Sequence, residues 1–234
     1  TPDVSLIGPL APALDALREH ARDSQWKTNE IKALKNKMRD ALRIESRQGL
    51  SPSVLVEAVA RKAPRGARAT VDAGAHMFSA MGFWQADEPS GVLISNGLST
   101  MAYALPAAIG SSLAEPHRPV VCFTGDGGLL MCLSELATAV EQRSKITIVV
   151  FNDGALSLID IKQQKRQMPT RGVRYGAIDF ATIARGFGCR SFRAADAAEL
   201  DRALAEAFAS EGPALIDVQV DPGAYSRQIE AMRG

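Results

Sequence analysis

The chain has 234 residues, 46% hydrophobic and 23% charged, enough to bury a full core in one large domain with or without a smaller piece attached. Lys and Arg number 27 against 26 Asp and Glu, and a net charge of +1 gives no overall pull toward nucleic acid or another polyanion. No stretch approaches the ~20 apolar residues of a membrane span and no charged-then-apolar leader opens the chain, so a cytoplasmic protein is expected.

Taken in chain order, SLIGPLAPALDALREHA reads as a strand end, a turn and a helix with no partner strands before it, as though the chain were a fragment. WKTNEIKALKNKMRDALRIES then carries dense opposite charges at helical spacing, a connector along a surface that Gly49 closes. Ser51 in GLSPSVLVEAV is an N-cap with Pro52 behind it, opening an amphipathic helix. From about residue 68 short apolar runs alternate with helix-length segments: ATVDAG, GVLIS, PVVCFTGD, ITIVVFND and ALIDVQVD. Strands of this kind, each separated by a helix, predict an α/β fold with a doubly wound, mainly parallel sheet covered on both faces. Lys162, Lys165 and Arg166, in IKQQKRQ without interleaved aromatics, read as a solvated helix face, and the irregular stretch from Lys162 to Tyr175 as a lid or binding loop. Cys122, Cys132 and Cys189 are widely spaced and apolar in setting, the pattern of small buried hydrophobes.

In a doubly wound sheet ligands sit beyond the carboxyl ends of the strands, and there the sequence places Gly74, Ser95-Asn96-Gly97, Gly125-Asp126-Gly127 and Asn152-Asp153-Gly154. A carboxylate wedged between glycines after a buried run is either a turn with a solvated Asp or a site. Asp126 and Asp153 end two strands joined by one helix, so a right-handed crossover can bring both to one edge. Two close carboxylates repel unless a cation sits between them, and hard oxygen ligands favour Mg2+ or Ca2+. Small residues at 127 and 128 let backbone N–H groups approach a diphosphate. For Asp153 alone an Asx-turn remains the bland alternative. No strand is followed by GxGxxG, and no GxxxxGK[ST] occurs.

The stretch GDGGLLMCLSELATAVEQRSKITIVVFNDGALSLI resembles the thiamine diphosphate motif: GDG, a helix and strand, then NN or ND. Residues from about 51 to 234 resemble the pyrophosphate-binding domain of the acetolactate synthase, benzoylformate decarboxylase and benzaldehyde lyase family. Residues 1–30 are similar to the tail of that family's middle domain, with 31–50 as a helical connector. The resemblance implies thiamine diphosphate and Mg2+ as cofactors, with the metal held by Asp126, Asp153 and the carbonyl of Ala155; Asn152 with the carbonyl of Gly154 is the fallback register. ISNGLSTMAYALPAAIG resembles GLGTMGFGLPAAIG, which makes Met101 the wedge under the cofactor and puts Ser99 at the aminopyrimidine; a core Met is the alternative. VDAGAHMFSA is similar to DVGQHQ, so Gly74, Ala75 and His76 would line the diphosphate end, although for position 76 taken alone a satisfied structural His is the commoner case. Gly127, Gly128 and Leu156 complete the implied cofactor contacts.

Leu158 and Ile159 fall where the family lines its substrate pocket. Pyruvate decarboxylases have Glu at the position of Ile159, and the apolar residue here tilts the implied activity toward carboligation of 2-oxo acids or lyase chemistry, with 2-oxo acid decarboxylation, including the separate-subunit type, as alternative. A non-catalytic assembly subunit is the rival from another class. The activating Glu of the family lies in a pyrimidine-binding domain that this chain does not show, so a homo-oligomer, dimer or tetramer, is implied. Nothing in residues 1–30 decides whether FAD binds. Glu135 reads as a helix-packing residue, and His20 and His117 as surface residues.

Overall fold

A computed structural model describes residues 3–46, 49–176 and 178–233. The chain resolves into two compact units, Thr1–Met38 and Arg39–Gly234. Helix α1 (Leu10–Arg18) lies in the first; no residue of it is buried. Residues 5–9, read from sequence as a strand end and a turn, form no strand. Helix α2 spans Thr28–Leu42, with no buried residue.

The second unit alternates helix and strand: α3 (Pro52–Lys62), β1 (Arg68–Val71), α4 (His76–Phe83), β2 (Val92–Ile94), α5 (Ala104–Ala114), β3 (Val120–Gly125), α6 (Asp126–Met131), α7 (Glu135–Glu141), β4 (Ile146–Asn152), α8 (Ser157–Lys165), α9 (Phe180–Phe187), β5 (Arg190–Ala194), α10 (Ala197–Phe208), β6 (Ala214–Gln219) and α11 (Gly223–Arg233). The six strands form one sheet in the order β2-β1-β3-β4-β6-β5, every neighbouring pair parallel. This is the doubly wound α/β sheet that the strand-helix alternation predicts.

Strand residues alternate between two apolar layers, as a pleated backbone requires. Val121, Phe123, Val149 and Phe151 pack on one face with Leu55, Val59, Phe83 and Leu204. Cys122, Ile148 and Val150 pack on the other with Leu105, Leu129, Leu136 and Phe180. Each fully buried Leu, Val or Phe contributes about 1.5–3 kcal/mol relative to exposure, so the two layers carry the stability of the fold. All three cysteines are free and buried.

Local chemistry sets the element ends. Ser51 caps α3, its hydroxyl accepting from Val54 N at 3.2 Å, with Pro52 at the first helical position where no N–H is needed. Gly188 ends α9 in the left-handed region (φ 98°). Buried Asp217 accepts from Asn152 Nδ2 (2.8 Å) and Phe180 N (3.1 Å), tying β6 to β4 and to the start of α9. Among the described residues no helix is long and apolar enough to cross a membrane.

Candidate functional site

β3 and β4 pair in register, Thr124 opposite Val150 and Gly125 opposite Phe151, so the two chains leave the sheet side by side and deliver Asp126 and Asp153 together. Asp126 is 3% exposed. Its Oδ1 accepts from Gly127 N (2.7 Å) and from the Tyr175 hydroxyl (2.8 Å), and its Oδ2 from Gly154 N (2.7 Å) and Asp153 N (3.2 Å). Asp153 accepts from Ala155 N (3.2 Å) and from the Ser157 hydroxyl (2.7 Å). Burial, opposed by those hydrogen bonds, raises the Asp126 carboxyl above its ordinary value. Burial and then the Asp126 charge push Asp153 up to about 7. A pair of acids that discourage each other's ionisation is an arrangement that a cation would relieve. Among the described residues no group of three His, Cys, Asp or Glu gathers, here or elsewhere.

Asn152 is turned to other work: its amide nitrogen donates to the Ile178 carbonyl (2.9 Å) as well as to Asp217. The carbonyl of Gly154 accepts from Tyr175 N at 3.0 Å. Both members of the fallback register are therefore engaged in holding β4 and the loop before α9, whereas Asp153 faces the same cavity as Asp126.

That cavity measures about 310 Å3. It gathers the residues that the family resemblance assigns to cofactor, metal and substrate: Gly74, Ala75 and His76 after β1; Ser99 and Met101 before α5; Asp126, Gly127 and Gly128 after β3; Asp153, Ala155, Leu156, Leu158 and Ile159 after β4. Glu135, His20 and His117 are not among its lining residues. The chain around Met101 is tightly bent: Ser99 and Ala102 both lie in the left-handed region (φ 50° and 62°), which costs a non-glycine residue of order 1 kcal/mol or more.

The glycines have a local reason. A Cβ on Gly127 would stand 2.4 Å from Leu156 Cδ2 and 3.0 Å from the Tyr175 hydroxyl, and one on Gly128 would stand 2.2 Å from Asp72 Oδ2. The missing side chains are thus explained by close packing within the protein as well as by any ligand.

Whether a cofactor fits can be asked of His76. It is 5% exposed, its ring lies 5.2 Å from that of Phe151, and its Nε2 is buried without a hydrogen-bond partner among the described residues. Burial, only partly opposed by Asp72, lowers its pKa to about 4, so the imidazole is neutral at physiological pH. A neutral, unpartnered ring nitrogen in the wall of a cavity is a place for a ligand's polar group. With the acid pair lining the same cavity, the residues present fit a metal-diphosphate cofactor.

Tyr175 and Asp72 are among the contributors that escaped the sequence reading, as is Ser157, the donor to Asp153. Tyr175 binds Asp126 from the irregular loop, which is stitched to the turn after β4 by Leu156 N to Val173 O (2.8 Å) and to α8 by the Arg174–Asp160 ion pair (2.7 Å). An aromatic residue at the end of a stretch marked as a binding loop was the available signal. Asp72 is fully buried at the end of β1, and its position two residues before Gly74 was its only sign.

The profile described as the thiamine pyrophosphate enzyme, C-terminal TPP binding domain, matches residues 72–218. The chain belongs to this family of thiamine diphosphate-dependent enzymes. It is similar to acetolactate synthase of Bacillus subtilis (strain 168), 31% identical with 97% of this chain and 40% of that protein covered. It is also similar to the acetolactate synthase isozyme 1 large subunit of Escherichia coli (strain K12), 39% identical with 74% and 31% covered. Among solved structures, the Rhodococcus jostii RHA1 thiamine diphosphate-dependent 4-hydroxybenzoylformate decarboxylase shares the fold, with a TM-score of 0.71 and 24% identity over 76% of this chain and 34% of that one. The chain thus spans 40% or less of the length of each of these proteins.

Proposed function

We propose that this chain supplies the diphosphate and metal half of a thiamine diphosphate- and Mg2+-dependent site that joins or cleaves C–C bonds of 2-oxo acids, in the manner of an acetolactate synthase. The observation that carries the reading is the pairing of buried Asp126 with half-buried Asp153, delivered by adjacent strands into a cavity that His76 also lines. Asp126, Asp153 and the carbonyl of Ala155 would hold the cation, leaving its remaining positions to water and phosphate oxygens, as Mg2+ prefers. Gly74, Ala75, His76, Ser99, Gly127, Gly128 and Leu156 would line the cofactor, and Met101 would prop it. When bound, the thiazolium ring supplies a nucleophilic carbon and an electron sink for the carbanion generated at a carbonyl.

This chain's residues would do the rest. Leu158 and Ile159 would present an apolar wall that excludes water from the reacting carbonyl, which supports carboligation over simple decarboxylation. His76, neutral, can accept or donate one hydrogen bond without adding charge. The activating carboxylic acid would come from a pyrimidine-binding domain, placing the working site in a dimer or larger homo-oligomer. On this reading residues 51–234 form the cofactor domain, 31–50 a connector and 1–30 the end of a middle domain.

Titration calorimetry with thiamine diphosphate tests it directly. Binding should require Mg2+, and Asp126→Ala should weaken it at least tenfold while the fold persists. Metal-independent binding, or none, would favour a non-catalytic assembly role.

A further inference from the structure

We propose that Asp72 is a positioning residue that holds the Met101 loop and the Gly125–Gly128 turn to one another, so that the wedge and the diphosphate cradle keep a fixed relation. The inference rests on the reading of the cavity given above only for what the loop and the turn are held against. Asp72 is a carboxylate with no exposed surface and, among the described residues, no ion pair. Its charge is met instead by donors from two separate segments.

From the loop before α5 come three backbone N–H groups: Tyr103 and Ala104 donate to Oδ1, both at 2.7 Å, and Ala102 to Oδ2 at 3.3 Å. The residue before α5 makes no side-chain cap of its own, so Asp72 caps that helix from a strand 30 residues away. From β3 comes the Thr124 hydroxyl, donating to Oδ2 at 2.7 Å. Close by stands Gly128, where any Cβ would meet Oδ2 at 2.2 Å. The carboxylate therefore fits against the turn as well as bonding to the strand that feeds it.

A helix cap alone would need only Oδ1. The second oxygen does the positioning, because it bridges Ala102, itself in the left-handed region one residue after Met101, to Thr124, one residue before Gly125. Ser99 and Ala102 pay a conformational cost that the loop sequence does not repay, and Leu98 beside them is 90% exposed. The loop has few apolar anchors of its own, and Asp72 is the buried group that pins its far end.

The test uses the full-length protein and two variants. In Asp72→Asn, amide exchange of residues 99–104 and of 125–129 should rise together, at least tenfold, and the thiamine diphosphate concentration for half-saturation at fixed Mg2+ should rise at least tenfold. Thr124→Val, which keeps the α5 cap, should speed exchange at 125–129 and weaken half-saturation severalfold while leaving 103–107 protected. The Met101→Ala effect on half-saturation should shrink in the Thr124→Val background, since the two act through one contact. Exchange rising at 103–107 alone in Asp72→Asn, or full additivity of Thr124→Val with Met101→Ala, would overturn the inference. Should Asp72→Asn not fold, the Thr124→Val measurements decide. Exchange needs no cofactor, so a wild-type protein that fails to bind thiamine diphosphate with Mg2+ would remove the functional reading and leave the exchange result to judge Asp72.

Discussion

His76 shows how one residue couples fold to site. Its pKa of about 4 in the folded protein, against 6.5 ordinarily, means that between these values the unfolded chain binds a proton that the folded chain refuses. Stability therefore rises with pH through this window and is complete above about pH 7; acidifying from pH 8 to 5 should cost about 2 kcal/mol from this group alone. Denaturant midpoints of wild type and His76→Asn over that range check it: an equal slope in both would locate the pH dependence elsewhere. The sequence placed His76 at this strand end but left its role open, because a hydrogen-bonded core histidine and a ligand-facing one look alike in one dimension. Asp153 was legible for the same positional reason, whereas the commitment of Asn152 to Asp217 was not, since their bond spans 65 residues.

At the scale of elements, β1, β2, β3, β4 and β6 were readable from their β-branched runs between turn residues. β5, RSFRA, was not: an edge strand with two arginines and a half-exposed phenylalanine lacks the apolar continuity of a buried one. The segment LLMCLSELATAVEQ reads as one helix, yet the structure breaks it into α6 and α7 at Cys132, whose backbone leaves the helical region (φ −131°, ψ 28°). Periodicity cannot see such a break, because apolar spacing continues across it. Caps, by contrast, are local and were legible. Ser51→Ala should lower the unfolding free energy by about 1 kcal/mol, read by denaturant titration, by removing the acceptor for Val54 N. An unchanged midpoint would mean that the neighbouring Ser53 hydroxyl, 3.1 Å from that of Ser51, takes over.

For the whole molecule, one cavity collects acids, small backbone turns and apolar side chains from the ends of β1, β3 and β4. On the proposed reading the activating acid belongs to another domain, so the 234-residue chain should bind thiamine diphosphate with Mg2+ yet give no turnover of pyruvate, followed by acetoin or acetolactate formation. Turnover by this chain alone would show that the activating acid lies within it. The substrate class was the least legible property, because on that reading it would turn on apolar side chains such as Leu158 and Ile159 that carry no motif, while the cofactor class was written into two short motifs one crossover apart.

The sheet has a further consequence at its margins. β2 is three residues long, and β5 exposes Arg190 and Arg193 along the other edge, with Arg190 paired to Glu206. Neither margin offers a long, uncharged template on which a foreign strand could zip. Growth of the sheet from copy to copy is thereby discouraged, which leaves helices and loops as the surfaces through which any contact between copies would form.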